Sequence, residues 1–213
     1  MNIEPTADER PTLRASAHAP TSVSCRARLA LLLVLFFSTP LSRYRYVYYS
    51  SADLTQDFSL TRVAPNHAPG NKLLSDAVVQ MQPWLMFNRE ELRAGRIPLW
   101  NPYNGDGCPH VANYQSAVFS PFSAPFYVLG MRAALIVSAF LKLWVLGFFT
   151  FLFLKELRAK QIPALIGATA FMFSGHNIVL LSFPHVGAVV ALPAGFLLVE
   201  KAVRRVEDAQ RDA

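Results

Sequence analysis

Asp76 and Gln80 are residues whose chemistry and spacing suggest a reactive site. They stand four positions apart in a stretch whose apolar residues recur at helical spacing, so both side chains fall on one helix face. A positioned carboxylate can accept the proton of a nucleophile or bind a divalent cation. The alternative is a first-turn aspartate that complements the helix dipole, and the sequence leaves both open.

A polar loop follows from Arg96 to Pro109, with the sequence RIPLWNPYNGDGCP. Proline fixes φ, glycine supplies positive φ, and Asn and Asp close local turns, so this composition predicts an ordered loop and not a helix or a plain linker. The amides of Asn101, Asn113 and Gln115 can hydrogen-bond the hydroxyl groups of a ligand. Closing turns of the loop backbone is the alternative.

Three basic side chains lie within or beside apolar segments: Lys142, His176 and His185. Lys142 stands near the middle of an apolar run, where a cation is costly and must face a bundle interior, a partner or a wet cavity. It could hold a lipid phosphate or make a structural pairing. The two histidines could bind phosphate or assist proton transfer, and a structural role is the alternative for them as well.

Composition indicates a membrane protein. The chain is 53% hydrophobic and 16% charged, against about 25% charged residues in soluble domains. The formal net charge is +6, but the basic residues flank apolar runs, which is typical of topology-setting charge and argues against a nucleic-acid partner. The apolar runs predict four spans, the last three being Ala133 to Leu154, Ile162 to Leu181 and Val186 to Val199.

The predicted fold class is an all-α polytopic membrane protein with about four transmembrane helices and a large outer loop containing interfacial amphipathic helices. Pro83 divides the first helical pattern of that loop in two, and Ala94-Gly95 ends the second helix. A cleaved signal peptide is the alternative for the first apolar run. The predicted segments are a disordered cytoplasmic tail (1–26), a first transmembrane helix (27–41), an extracytoplasmic region with a re-entrant or interfacial segment (42–132), a three-helix bundle (133–200) and a cytoplasmic tail (201–213).

An ordered series of motifs runs through this region: Pro-Trp, Gly-x-Ile-Pro-Leu-Trp-Asn-Pro, Gly-x-Gly-x-Pro, Ala-Asn-Tyr-Gln-Ser-Ala-Val-Phe-x-Pro, and a later Phe-Ser-Gly in a membrane helix. The series resembles the N-terminal part of the bacterial YfhO-like membrane proteins, which are related to the GT-C glycosyltransferases. The resemblance covers roughly Asp53 to Glu200. The matching positions are Asp76, Gln80, Pro83, Trp84, Gly95, Pro98, Leu99, Trp100, Asn101, Pro102, Gly105, Gly107, Pro109, Ala112, Asn113, Gln115, Pro121, Phe173, Ser174 and Gly175.

The resemblance implies a multi-pass protein of the bacterial inner membrane. Four spans and the basic residues beside them predict that both termini are cytoplasmic. It would move a sugar from a polyprenyl-phosphate carrier to a cell-envelope polymer on the outer face. Asp76 would be the catalytic base or the ligand of a divalent cation, and Asp53, Asp57 and Asp106 are the alternative acids. The substrate-binding residues would be Gln80, Trp100, Asn101, Asn113, Gln115, Lys142, His176 and His185, with Trp100, Tyr103 and Tyr114 able to stack on a sugar ring.

Proteins of that family are several times longer than this chain, so it corresponds to their N-terminal portion. Two other interpretations remain open: a non-catalytic membrane scaffold or translocation component, and an inactive truncated fragment. Nucleotide-sugar folds, serine hydrolases and zinc peptidases are unsupported, because the sequence has no Gly-rich phosphate loop after a strand, no Gly-x-Ser-x-Gly and no His-Glu-x-x-His.

Overall fold

The structure, a computed structural model, describes residues 21–38, Ser42 and residues 76–212. This part is mostly helical. Leu73 and Leu74, with which the first amphipathic pattern begins, and the alternative acids Asp53 and Asp57 lie outside it. The elements are α1 (Thr21–Phe36), a π-helical turn (Ala77–Met81), α2 (Gln82–Arg93), β1 (Trp100–Asn101), β2 (Cys108–Pro109), a 3-10 turn (Tyr114–Ser116), α3 (Ala124–Val128), α4 (Met131–Glu156), α5 (Gln161–Met172), α6 (Gly175–Val179) and α7 (Val186–Arg211).

Helix α4 is the centre of the fold, and α1, α5 and α7 pack around it. The stripe that α1 buries against it has four-residue spacing and consists of Cys25, Leu29, Leu33 and Phe37. Arg26, near the start of α1, lies 4.7 Å from the ring centroid of Phe148, whereas Phe37, just beyond its end, contacts Phe140. Helix α1 is therefore antiparallel to α4.

Helix α7 runs in the same direction as α4. Val186 at its start packs with Leu146, and Arg204 near its end lies 3.7 Å from Glu156, the last residue of α4. The start of α1, the end of α4, the start of α5 and the end of α7 consequently lie at one end of the bundle. Most of the basic residues that flank the described apolar helices lie at that end, whereas Arg132, at the start of α4, lies at the opposite end.

Two helices, α4 and α7, are long and apolar enough to cross a membrane. The helical part of the predicted fold class is confirmed, whereas the polytopic membrane fold and its four spans stay a prediction, because these two helices qualify by length and composition alone. The predicted third span, 162–181, is divided between α5 and α6, with the break at Phe173–Ser174. Helix α7 extends to Arg211, so most of the predicted C-terminal tail continues the helix.

Residues 76–129, here called the cap layer, pack against the first half of α4 and the turn that precedes α7. Ala77, Met81 and Trp84 form a buried cluster with Phe183 of that turn. The hydroxyl of Ser138 on α4 donates to the carbonyl oxygen of Phe122 at 2.7 Å. Apolar packing and a hydrogen bond therefore both hold the cap layer on the helices.

The two helical pieces of the cap layer meet where Pro83 predicts a boundary. The π-helical turn ends at Met81, and Pro83 lies in the first turn of α2. Proline has no N–H to donate backwards, and its ring collides with the carbonyl four residues earlier, which explains why the preceding turn is wider than an α-helix. Gly95, with φ of +73°, ends α2 as the sequence predicts.

The loop after α2 contains a short antiparallel pair that the all-α prediction omits. Trp100 pairs with Pro109, and Asn101 pairs with Cys108. Gly105 and Gly107 both have positive φ in the connecting turn. The loop is therefore ordered, as its Pro and Gly content predicts. Cys25 and Cys108 are both free thiols.

Candidate functional site

A buried polar network joins α2 to the loop. The side chains of Asn88 and His110 are both fully buried, and His110 Nε2 lies 2.7 Å from Asn88 Oδ1. Asn88 Nδ2 donates to the carbonyl oxygen of Ser116 at 2.8 Å. The Ser116 hydroxyl donates in turn to the carbonyl oxygen of His110, also at 2.8 Å. These bonds fix the loop on the helix.

The network assigns the tautomer of His110. The amide nitrogen of Asn88 is used for Ser116, so the amide oxygen accepts and Nε2 of His110 carries the proton. Burial lowers the pKa of His110, because the charged imidazolium loses its hydration. His110 Nδ1 has no hydrogen-bond partner among the described residues. The histidine is therefore neutral. Neither His110 nor Asn88 belongs to a sequence motif that predicts this pairing.

A groove of about 370 Å³ lies between α2 and the hairpin loop. Its walls contain aromatic rings, side-chain amides and one carboxylate, that of Glu90. Phe87 and Tyr103 meet edge to face across it, with ring centroids 6.0 Å apart. The described residues that line it are Val79, Gln80, Pro83, Trp84, Met86, Phe87, Glu90, Asn101, Tyr103 and Asn104.

Two predicted binding residues, Gln80 and Asn101, lie on this groove. Asn101 is buried, and its Oδ1 accepts a hydrogen bond from the backbone N–H of Tyr103 at 2.9 Å. This bond closes a turn of the loop, which is the alternative to ligand binding that the sequence offers for this residue. Asp76 is exposed at the head of the same helical segment, one turn before Gln80, and makes no side-chain capping bond. It is outside the lining of the groove.

The predicted stacking residues differ in their surroundings. Tyr103 lies on the groove and is 82% exposed. Trp100 is half exposed and packs closely on Gly107, where an added Cβ would lie 2.5 Å from the indole nitrogen. Tyr114 is exposed and is not part of the lining. Trp84 is buried in the cap layer.

Asn113 and Gln115 lie beyond the groove. Asn113 Oδ1 accepts from the backbone N–H of Gln115 at 3.1 Å and so closes the 3-10 turn. The side chain of Gln115 accepts a long hydrogen bond of 3.5 Å from Gln80 Nε2. Gln115 also lines a second, smaller cavity. The Gln80–Gln115 contact therefore stands between the groove and this cavity.

The second cavity lies between the cap layer, α4 and the turn before α7, and its volume is about 30 Å³. Lys142 is the one charged residue in its described lining. Lys142 Nζ donates to the carbonyl oxygens of Leu181 at 2.8 Å and Phe183 at 3.3 Å. Two of the three N–H donors of the Lys142 ammonium group are therefore used in a structural pairing, which is one of the two roles that the sequence predicts for this residue. The other polar groups of the lining are Gln82, Gln115, Ser120, Ser123, Ser138 and Ser182.

One of the predicted histidines, His185, lies within electrostatic reach of both Lys142 and His176. Burial lowers the pKa of His185, and the positive charges of His176 and Lys142 lower it further. The fold therefore places His185 near both of the other basic residues. His185 is half-buried and precedes α7, whereas His176 is exposed on α6. Within residues 21–38 and 76–212, no group of three His, Cys, Asp or Glu side chains is placed to hold a metal ion.

Comparison of the chain with family models, with curated proteins and with solved structures finds no match in any of the three.

Proposed function

We propose that this chain forms the substrate-binding outer part of a membrane glycosyltransferase of the YfhO-like, GT-C-related kind. It would move a sugar from a polyprenyl-phosphate carrier to a cell-envelope acceptor. The observation that carries the proposal is the Lys142 cavity at the junction of the membrane-type helices and the cap layer. Its position and its chemistry match the phosphate end of an amphiphilic carrier.

The cavity has one polar and one apolar side. The polar side offers an ammonium group, hydroxyls and amides, and no carboxylate occurs among its described lining residues. Such donors favour the oxygens of a phosphate. The apolar side favours the first part of a hydrocarbon chain, and it is formed by Met81, Leu85, Phe122, Phe126, Leu135, Ala139 and Leu181. The small volume admits phosphate oxygens but not a sugar ring.

Each residue then has a distinct task in the transfer. Lys142 stabilises the negative charge of the phosphate that leaves with the carrier, and the nearby neutral His185 donates an N–H to a phosphate oxygen. The acceptor hydroxyl oxygen forms a bond to the anomeric carbon while the bond from that carbon to the phosphate oxygen breaks. Asp76 accepts the hydroxyl proton. A divalent cation held by Asp76 is the alternative way to neutralise the leaving group.

The direction of the helices supports an outward-facing cap layer. Lys155, at the end of α4, and Lys160, just before α5, lie at the end of the bundle that is opposite the cap layer. Lys201 and Arg205 lie near the end of α7 at that same end. Basic residues are retained on the cytoplasmic side of membrane proteins. We therefore assign the cap layer to the outer face and the chain to the bacterial inner membrane as a multi-pass protein with both termini inside.

The test is sugar transfer in bacterial cells that lack their own enzyme of this class. Cells expressing the wild-type chain should regain sugar on their envelope polymers. Lys142→Met should abolish it, Lys142→Arg should retain part of it, and the exposed Lys155→Met serves as the matched control. Because Lys142→Met also removes two structural bonds, His185→Gln is the second variant and should reduce transfer with normal membrane levels. Unchanged transfer in both Lys142→Met and His185→Gln would overturn the proposal.

One observation favours a non-catalytic scaffold instead. Large aromatic side chains are exposed on the cap layer, with Tyr103 82% and Phe119 74% accessible. A docking surface would use such residues. The scaffold should tolerate Asp76→Asn and fail on Phe119→Ala, whereas the transferase should behave in the opposite way.

A further inference from the structure

We propose that the groove between α2 and the hairpin loop binds a neutral saccharide, the acceptor of the transfer. The acceptor role rests on the proposed function, whereas the saccharide specificity is argued from the groove alone. The volume of about 370 Å³ falls within the range of about 300–1,000 Å³ typical of small-molecule sites. It exceeds that of the Lys142 cavity more than tenfold.

The aromatic side chains of the groove suit the apolar C–H face of a sugar ring. Trp84 and Phe87 are buried at its base, where Phe87 also packs edge-on against His110. Tyr103 is mostly exposed, so most of its ring surface is accessible to a ligand. A fixed aromatic base and an accessible ring beside it form a slot for a flat, partly apolar molecule.

The polar side chains of the groove suit hydroxyl groups. Gln80, Asn101 and Asn104 contribute amides, which both donate and accept hydrogen bonds. Glu90 contributes a carboxylate with two acceptor oxygens, which matches two neighbouring hydroxyls of one ring. Sugar hydroxyls are both donors and acceptors, so this mixture of groups can satisfy them.

The charge of the groove decides which saccharide it accepts. Among the described residues that line it there is no Lys, Arg or His, and the one charged group is Glu90. A phosphate or carboxylate in the groove would face Glu90 with no cation to offset the repulsion. The groove therefore selects a neutral sugar. The Lys142 cavity has the opposite character, with a cation and no described carboxylate.

The two sites are close enough to serve one reaction. Gln80 lines the groove, Gln115 lines the cavity, and their side-chain amides are 3.5 Å apart. Asp76 lies one helical turn before Gln80. An acceptor in the groove and a carrier phosphate in the cavity would thus approach each other beside the π-helical turn.

Saturation-transfer NMR on the full chain in lipid nanodiscs tests this assignment. The probes are methyl glucoside, methyl N-acetylglucosaminide and maltotriose as neutral saccharides, and glucose 6-phosphate as the anionic counterpart. At least one neutral probe should bind, and glucose 6-phosphate should bind at least tenfold more weakly than methyl glucoside. Tyr103→Ala and Glu90→Gln should each weaken the binding of the neutral probe about tenfold, which is the effect of losing roughly one good contact. The matched controls are Phe119→Ala, an exposed aromatic residue outside the groove, and Glu207→Gln, an exposed acid on α7, and neither should change this binding.

The outcomes separate this inference from the proposed function. Binding of no neutral probe to the folded wild type, equal binding of glucose 6-phosphate, or equal loss in the controls would overturn the saccharide groove. Normal sugar transfer in cells by Tyr103→Ala and Glu90→Gln would overturn the acceptor role and leave the transferase standing. Saccharide binding that depends on Tyr103, combined with no transfer by the wild type, would support the groove and overturn the transferase.

Discussion

Asn88 and His110 are joined by a hydrogen bond of 2.7 Å between two side chains that have no exposure to solvent. They are 22 residues apart in sequence, one on α2 and one after the hairpin. This bond and the contact of Phe87 with the His110 ring hold the loop against the helix. The shape of the groove therefore depends on a polar pair that does not itself line it.

Removing the amide of Asn88 should destabilise the cap layer. Asn88→Ala leaves His110 Nε2 and the Ser116 carbonyl without their partner, and buried unpaired groups of this kind cost about 1 to 3 kcal/mol each. Thermal unfolding of the purified protein in detergent measures the loss. The neighbouring, partly exposed Arg89→Ala is the control. An unchanged melting temperature for Asn88→Ala would show that the pair does not fix the loop.

The stability of the protein should fall as the pH drops below about 6.5, the ordinary pKa of histidine. The folded pKa of His110 is lowered by burial, so the unfolded chain takes up the proton first and gains stability relative to the fold. The contribution of His110 to the free energy of unfolding is fully present above its pKa in the unfolded chain. It is lost as the pH falls toward its pKa in the folded protein. Melting temperatures from pH 8 to pH 5 should show a smaller slope for His110→Gln than for the wild type. His176→Gln is the control, and equal slopes for all three proteins would count against a neutral, buried His110.

Gly107→Ala should disturb the loop more than Gly105→Ala. Both glycines have positive φ, at +99° and +61°, so both substitutions carry backbone strain. Only at Gly107 would the new Cβ meet the Trp100 indole, because nothing lies within 4 Å of the corresponding position at Gly105. We expect this additional clash to lower the free energy of unfolding by about 1 to 3 kcal/mol. Urea unfolding followed by tryptophan fluorescence makes the comparison, and equal effects would mean that Trp100 does not pack on this turn.

Local signals in the sequence predicted part of the fold. Long apolar runs predicted the centres of α4 and α7. Pro83 predicted the start of α2, and Gly95 predicted its end. These features depend on the properties of neighbouring residues. The break at Phe173–Ser174 was missed although Ser174-Gly175 is a turn signal, because the length and apolar content of 162–181 matched a single spanning helix.

The site was less predictable, because it is assembled from distant segments. Glu90 looks like an ordinary surface residue of an amphipathic helix until the hairpin loop is placed beside it. His110 follows Cys-Pro in a polar loop, and only the fold reveals Asn88 as its partner. The proximity of Lys142 to His185 was not predicted, because the two residues lie 43 positions apart, one in the middle of α4 and the other in the turn before α7.

Sugar transfer by the Asp76→Asn variant is the most direct test of the proposed function. Purified wild-type and variant chains in lipid nanodiscs would receive a polyprenyl-phosphate carrier with a radiolabelled sugar and a cell-envelope glycan as acceptor. We predict that the wild type labels the glycan and that Asp76→Asn loses at least about 100-fold of this rate. Asp208→Asn, a change of an exposed acid near the end of α7, should retain it. A folded wild type that transfers no sugar, or an Asp76→Asn variant as fast as the wild type, would contradict the account.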